Sequence, residues 1–162
     1  ENKFGISVDD AFNIFKNSTE YKNIILDGIA FHIGSNINEI KPFEDSFKIT
    51  NKLLQNLSDI NIPIETIDVG GGVGIENVNF SYTDYSNLIS KYFDTSQKQI
   101  IIEPGRSISA NTGILVSKIL YIKKTETRKF IIIDAGMNDW MRTALYDAQH
   151  QIVPLEKKQS KD

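Results

Sequence analysis

Two short strings, Asp68-Val69-Gly70-Gly71-Gly72 and Ile102-Glu103-Pro104-Gly105-Arg106, stand about thirty residues apart, each directly after an apolar, strand-like run. Both suit an anion. Glycine lets main chain approach a phosphate because no Cβ intervenes, and successive N–H groups in such turns form an anion-binding concavity. In a (β/α)8 barrel, phosphate sites commonly lie in the loops after strands seven and eight. Two such loops after consecutive strands therefore point to the closing half of a barrel that holds a phosphorylated ligand.

Other side chains stand at similar strand ends. His32 lies near the end of the run 29–33, ahead of Gly34-Ser35. An imidazole there can stack on a flat ring, and the Ser35 hydroxyl can donate to a phosphate oxygen. The plainer alternatives are a structural histidine and a helix-entry turn. Glu103 reads either as a salt-bridged structural carboxylate or as the partner of a ring nitrogen, keeping it protonated so that the ring can accept an electron pair. Pro104 fixes that turn, Gly105 removes a side chain that would block approach, and Arg106 offers a planar fork for phosphate or carboxylate. Arg142 and Tyr146 are four residues apart and would face the same way on a helical turn. Together they can bind a substrate carboxylate and a phosphate or hydroxyl, or simply stack on one another at the surface. Trp140 and His150 read as packing residues.

The elements that must position these groups follow from hydrophobic spacing. Phe4-Gly5-Ile6 reads as the end of a strand, after which Ser7 and Asp10 give a capping-box pattern for a helix buried through Ala11, Phe12, Ile14 and Phe15. Strands are expected over 29–33, 64–69 and 99–103. Between them, Phe43, Phe47, Thr50, Leu54 and Leu57 mark a helix from about Pro42, and Tyr85, Leu88, Ile89, Tyr92 and Phe93 mark another. The order βαβαβαβ implies parallel strands with helical crossovers. After Arg106 the pattern changes: β-branched runs 113–123 and 129–134, joined by a polar 124–128, read as an antiparallel hairpin. The expected organisation is a partial (β/α) barrel over 1–106, the opening of a β domain over 107–155, and a charged, frayed tail over 156–162. Four strands cannot close a barrel, so the fold reads as α/β and incomplete.

The 162 residues carry a net charge of -3 without a basic stripe, which argues against nucleic acid and membrane as partners. No apolar run matches a membrane span and the first residues do not resemble a signal peptide, so a cytoplasmic location is the default expectation. There is no cysteine and only two histidines, far apart, so no metal site is expected.

The five strings Phe31-His32-Ile33-Gly34-Ser35, Asp68-Val69-Gly70-Gly71-Gly72-Val73-Gly74-Ile75, Glu103-Pro104-Gly105-Arg106-Ser107, Asp134-Ala135-Gly136-Met137-Asn138-Asp139 and Arg142-Thr143-Ala144-Leu145-Tyr146, with Lys3-Phe4-Gly5-Ile6 before them, resemble the fold-type III pyridoxal-phosphate decarboxylases in type and order. The resemblance implies pyridoxal 5′-phosphate as cofactor. His32 would stack on its ring, Ser35, Gly70, Gly71 and Gly72 would hold its phosphate, and Glu103 would contact the pyridine nitrogen. Arg106, Arg142 and Tyr146 would contact an amino-acid substrate, with Gly105, Arg106 and Tyr146 also near the cofactor. The implied reaction is decarboxylation of meso-2,6-diaminopimelate to L-lysine in a homodimer with a shared active site. Related decarboxylases of ornithine or arginine share the barrel motifs. The family pattern usually has Pro where this chain has Thr143 and Gln where it has Asn36. The resemblance places the Schiff-base lysine before residue 1 and the proton-donor cysteine beyond Asp162, so no catalytic residue is expected within these residues. Two rival readings are a non-catalytic remnant of a truncated gene and a phosphate-binding barrel piece of a sugar-phosphate enzyme.

Overall fold

The computed structural model describes residues 4–156. The chain divides into two compact units, residues 1–113 and 114–162.

The first unit begins with helix α1 (Val8–Lys16), whose N-cap Ser7 accepts the Asp10 amide at 3.0 Å. Strands β1 (Gly28–Ala30), β2 (Thr66–Asp68) and β3 (Gln99–Ile101) follow, separated by helices α2 (Lys41–Asp59) and α3 (Tyr82–Tyr92). The sheet is parallel in the order β1-β2-β3, because each helix carries the chain back to the same end before the next strand starts. Each strand spans three paired residues, shorter than the apolar runs. Residues 31–33, 69 and 102–103 lie beyond the regular strands and lead into the loops at their C-terminal ends, Phe31, Val69 and Glu103 still donating their amides to the neighbouring strand's chain. Phe4-Gly5-Ile6, read as a strand end, forms no strand: Gly5 takes a φ of 77° and Ile6 is exposed. Three strands are thus described where four were expected. Lys3 and residues 157–162, most of the expected tail, lie outside the described residues.

The core sits between the sheet and the helices. α2 buries Phe43, Phe47, Thr50, Leu54 and Leu57, the row its three- and four-residue spacing foretells, together with Leu53. α3 buries Tyr85, Leu88 and Ile89, with Phe93 at its C-cap. The rings meet edge to face or tilted, Phe43 on Tyr85 at 5.0 Å and Phe47 on Phe93 at 5.2 Å between centroids, geometries favoured by the aromatic quadrupole. α3 starts on a reciprocal capping box: Ser81 Oγ accepts the Asp84 amide and Asp84 accepts the Ser81 amide. Glu44 ties α2 to α3 by accepting from Lys91 Nζ and Tyr92 Oη, both at 3.0 Å.

Side chains alternate across a strand. Ile29, Ile67 and Ile100, mutual partners in the register, pack into the helix-covered core. Residues 28, 30, 66, 68, 99 and 101 therefore present the other face, where they are half-buried or exposed.

The short helix α4 (Arg106–Ser109) closes the first unit. The second unit holds an antiparallel hairpin of β4 (Ile119–Lys124) and β5 (Lys129–Ile133), then helix α5 (Met141–Tyr146). The hairpin is shorter at its start than expected, because residues 113–118 form no strand. Its turn is closed by the Thr125 amide donating to the Arg128 carbonyl at 2.8 Å. Asp134, after β5, accepts from the Lys118 amide and Ser117 Oγ, both at 2.8 Å, which hold its carboxyl below the usual carboxylate range. Trp140 and His150 meet edge to face with centroids 4.6 Å apart, the packing contact their types suggested.

Candidate functional site

The register defines a row of residues across the three strand ends. Ala30, Asp68 and Ile101 are partners, and the ladder continues past them: the Phe31 amide donates to the Asp68 carbonyl, the Val69 amide to Ile101 and the Glu103 amide to Gly70, at 3.0, 3.0 and 2.8 Å. Two residues onward, the same face carries His32, Gly70 and Glu103. An imidazole and a carboxylate thus flank a position that has no side chain. Both flanking residues are exposed, and the Glu103 carboxylate has no hydrogen bond or ion pair to another described residue.

Each glycine of the triplet is required, for different reasons. Gly70 and Gly72 take φ of 69° and 96°, values that L side chains rarely adopt. Gly71 lies against the Glu103 carbonyl oxygen, where a Cβ would overlap it; a Cβ on Gly72 would meet the Gly34 carbonyl in the same way. Thus the loops after β1, β2 and β3 touch through main chain. The loop carrying Ser35 is docked by the Ile37 amide donating to Gly72 O and the Gly74 amide donating to Ile37 O, both 2.9 Å. It runs straight into a bridge with Val73, not into a helix.

The amides are shared out unevenly. Gly70 N–H donates to Asp68 Oδ1 at 2.9 Å and Gly71 N–H to His32 Nδ1 at 3.3 Å. Within the triplet only the Gly72 amide has no partner among the described residues. The sequence expectation of successive open amides is therefore met by one, because the first amide is used within the turn, on Asp68, and the second on the loop after β1, at His32. Ser35, which follows the Gly34 whose carbonyl faces Gly72, is exposed, and Gly105, with open space around its Cβ position, leads Arg106 into α4.

Between the same loops and α3 lies a recess of about 50 Å³, lined by Gly70, Gly71, Val73, Tyr85, Ile102 and Pro104 among others. It has room for water, not for a cofactor. The buried Tyr85 hydroxyl has no hydrogen-bond partner among the described residues. Burial first, and the Asp68 charge second, push its phenol up to about 12. Nothing in the residue types foretold this group, which sequence reasoning assigned to packing alone.

In the second unit, Arg142 and Tyr146 do share one side of α5, with the guanidinium 5.3 Å from the ring centroid. Both are exposed. No group of three or more metal-ligating side chains occurs among the described residues.

The three strand ends thus gather a histidine, a carboxylate and a glycine turn with one open amide. Residues 1–110 match the family of pyridoxal-dependent decarboxylases through its pyridoxal binding domain, and the chain belongs to this family. Among individual relatives, the diaminopimelate decarboxylase of Haemophilus influenzae is 41% identical over 97% of this chain and 39% of its own length. The crystal structure of the Helicobacter pylori diaminopimelate decarboxylase complexed with L-lysine superposes with a TM-score of 0.88 at 34% identity, over 98% of this chain and 40% of that one. A solved Aquifex aeolicus protein gives 0.90 at 35% identity, with coverage of 98% and 40%. The chain thus spans about two fifths of the length of these relatives.

Proposed function

We propose that the protein decarboxylates meso-2,6-diaminopimelate to L-lysine with pyridoxal 5′-phosphate, and that this chain supplies the ring and phosphate seat together with part of the substrate clamp. The fold it contributes is the second half of a (β/α)8 barrel and the opening of a β domain. The observation that carries the reading is the row His32, Gly70, Glu103. A bare position between an imidazole and an unpaired carboxylate gives a flat ring its space, a stacking face and a partner for a ring nitrogen.

Bound pyridoxal phosphate supplies an electron sink for the pair released as the substrate carboxylate leaves as CO2. The chain's own residues set that chemistry up. Glu103, which has no hydrogen-bond or ion-pair partner among the described residues, would hold a proton on the ring nitrogen and so keep the sink cationic. His32 covers the ring from the β1 side. The Gly72 amide and the Ser35 hydroxyl donate to the phosphate, with Gly70 and Gly71 giving the turn its shape and Gly105 leaving room for Arg106. Arg106 would bind substrate charge, and the resemblance adds Arg142 and Tyr146 to the substrate contacts and Tyr146 to those of the cofactor. The protein is proposed to act as a homodimer whose subunits share the active site, the resemblance placing the Schiff-base lysine and the proton donor on other parts of the enzyme.

Likeness to diaminopimelate decarboxylases across nearly the whole chain, including a complex with L-lysine, favours this substrate over shorter diamino acids. The test is release of labelled CO2 by the intact protein. Carboxyl-labelled diaminopimelate is expected to release it, and release from ornithine or arginine in preference to diaminopimelate would overturn the substrate assignment.

A further inference from the structure

We propose that His32 has a second task besides facing a ring: its Nδ1 anchors the glycine turn by accepting the Gly71 amide, and this bond fixes the imidazole as the tautomer protonated on Nε2. The inference rests on the cofactor reading only for its consequence at the phosphate. The anchor itself stands on geometry within the first unit.

An amide N–H can only donate, so the nitrogen 3.3 Å from it must carry a lone pair. In a neutral imidazole the other nitrogen then holds the proton. The partners are 39 residues apart in sequence, so the bond joins two loops and is not a local turn. Gly70 makes the approach feasible: a Cβ there would lie 3.1 Å from His32 Nδ1 and 3.2 Å from its Cα, besides overlapping the Phe31 carbonyl. Gly71 is buried and its amide has no other acceptor among the described residues. Losing His32 would leave that amide orphaned, at a real cost in the turn's stability.

The turn is pinned on its other flank as well, by the Glu103 amide on Gly70 O at 2.8 Å. The two residues that flank the ring seat thus both bond to the turn, besides the Asp68 carboxylate and the Ile37 amide. Because Gly71 is committed to His32, the open donors for a phosphate are the Gly72 amide and Ser35. The position of that amide then depends on the histidine, which couples the ring clamp to the phosphate cup.

Two substitutions in the intact protein separate the tasks. His32→Phe keeps a flat aromatic face and removes the acceptor. His32→Asn removes the face and leaves an amide oxygen near the place of Nδ1. One readout is hydrogen exchange at the Gly71 amide without cofactor; the other is the ratio of affinities for pyridoxal phosphate and for pyridoxal, which lacks the phosphate. His32→Phe is expected to speed Gly71 exchange roughly tenfold, the factor of one net hydrogen bond, and to lower the affinity ratio by a similar factor. His32→Asn is expected to leave Gly71 exchange nearly unchanged and to weaken both ligands alike. Nitrogen-15 spectra of the unsubstituted protein, which need no variant to fold, are expected to show Nδ1 unprotonated in the neutral ring. A neutral ring protonated on Nδ1, or unchanged Gly71 exchange in a folded His32→Phe protein, would overturn the anchor. Should the unsubstituted protein bind neither ligand, the cofactor reading fails, while the exchange and nitrogen-15 results still decide the anchor.

Discussion

At the scale of single residues, the turn after β2 shows three glycines needed for separate reasons. Gly71 is the informative one, because its backbone is ordinary and only the Glu103 carbonyl against it forbids a side chain. Gly71→Ala is therefore expected to destabilise the protein by about 1–3 kcal/mol, as overpacking does, read as a lower denaturant midpoint; an unchanged midpoint would contradict the close approach. Tyr85 makes the opposite case. Its hydroxyl is buried without a partner and its phenol, at about 12, stays protonated throughout the physiological range. Removing such a group spares a desolvation cost, so Tyr85→Phe is expected to be neutral or to gain up to about 1 kcal/mol in chemical denaturation. A clear loss would mean that the hydroxyl has a partner. That His32, the triplet and Glu103 follow strands was legible in the sequence, because each comes directly after an apolar run. The bond between Gly71 and His32 was not. It depends on which way one amide turns across 39 residues, and no spacing rule encodes that.

At the scale of elements, α2 was readable almost residue by residue, since Phe43, Phe47 and Leu57 are fully buried on one face. The capping box of α3 has the spacing of Ser81 and Asp84, a polar signal that lies ahead of the apolar row beginning at Tyr85 and is not part of it. The strands read too long. An apolar run records burial, whereas only part of each run has a neighbour to pair with, and the remainder forms the loops that build the site. Phe4 to Ile6 misled for a related reason, since an apolar pair around a glycine looks like a strand end whatever its backbone does.

The helices also carry a pH dependence. Hydrogen bonds from Lys91, then Tyr92, hold the Glu44 carboxyl at about 2, below its ordinary 4.5. A carboxyl depressed in the folded state contributes stability that is present above the unfolded value and lost as pH falls through the folded one. The tie between α2 and α3 is thus expected to weaken between about pH 4.5 and 2. Acid titration of Glu44→Gln beside the unsubstituted protein checks this. The stability difference is expected to shrink across that window, and a constant difference would contradict the assignment.

At the scale of the whole molecule, the decisive fact is that one end of a parallel sheet gathers three loops from positions 32, 70 and 103. Crossover helices force this, since they bring every strand's C-terminal end to the same side. The chain covers about two fifths of its relatives' length, so activity is a property to be measured on the intact protein. The most direct measurement is a crystal structure of that protein with pyridoxal phosphate bound. The account predicts density for the ring over Gly70, between the His32 imidazole and the Glu103 carboxylate, with the phosphate on the Gly72 amide and Ser35. A ring bound away from that row, or a phosphate on a different turn, would contradict it.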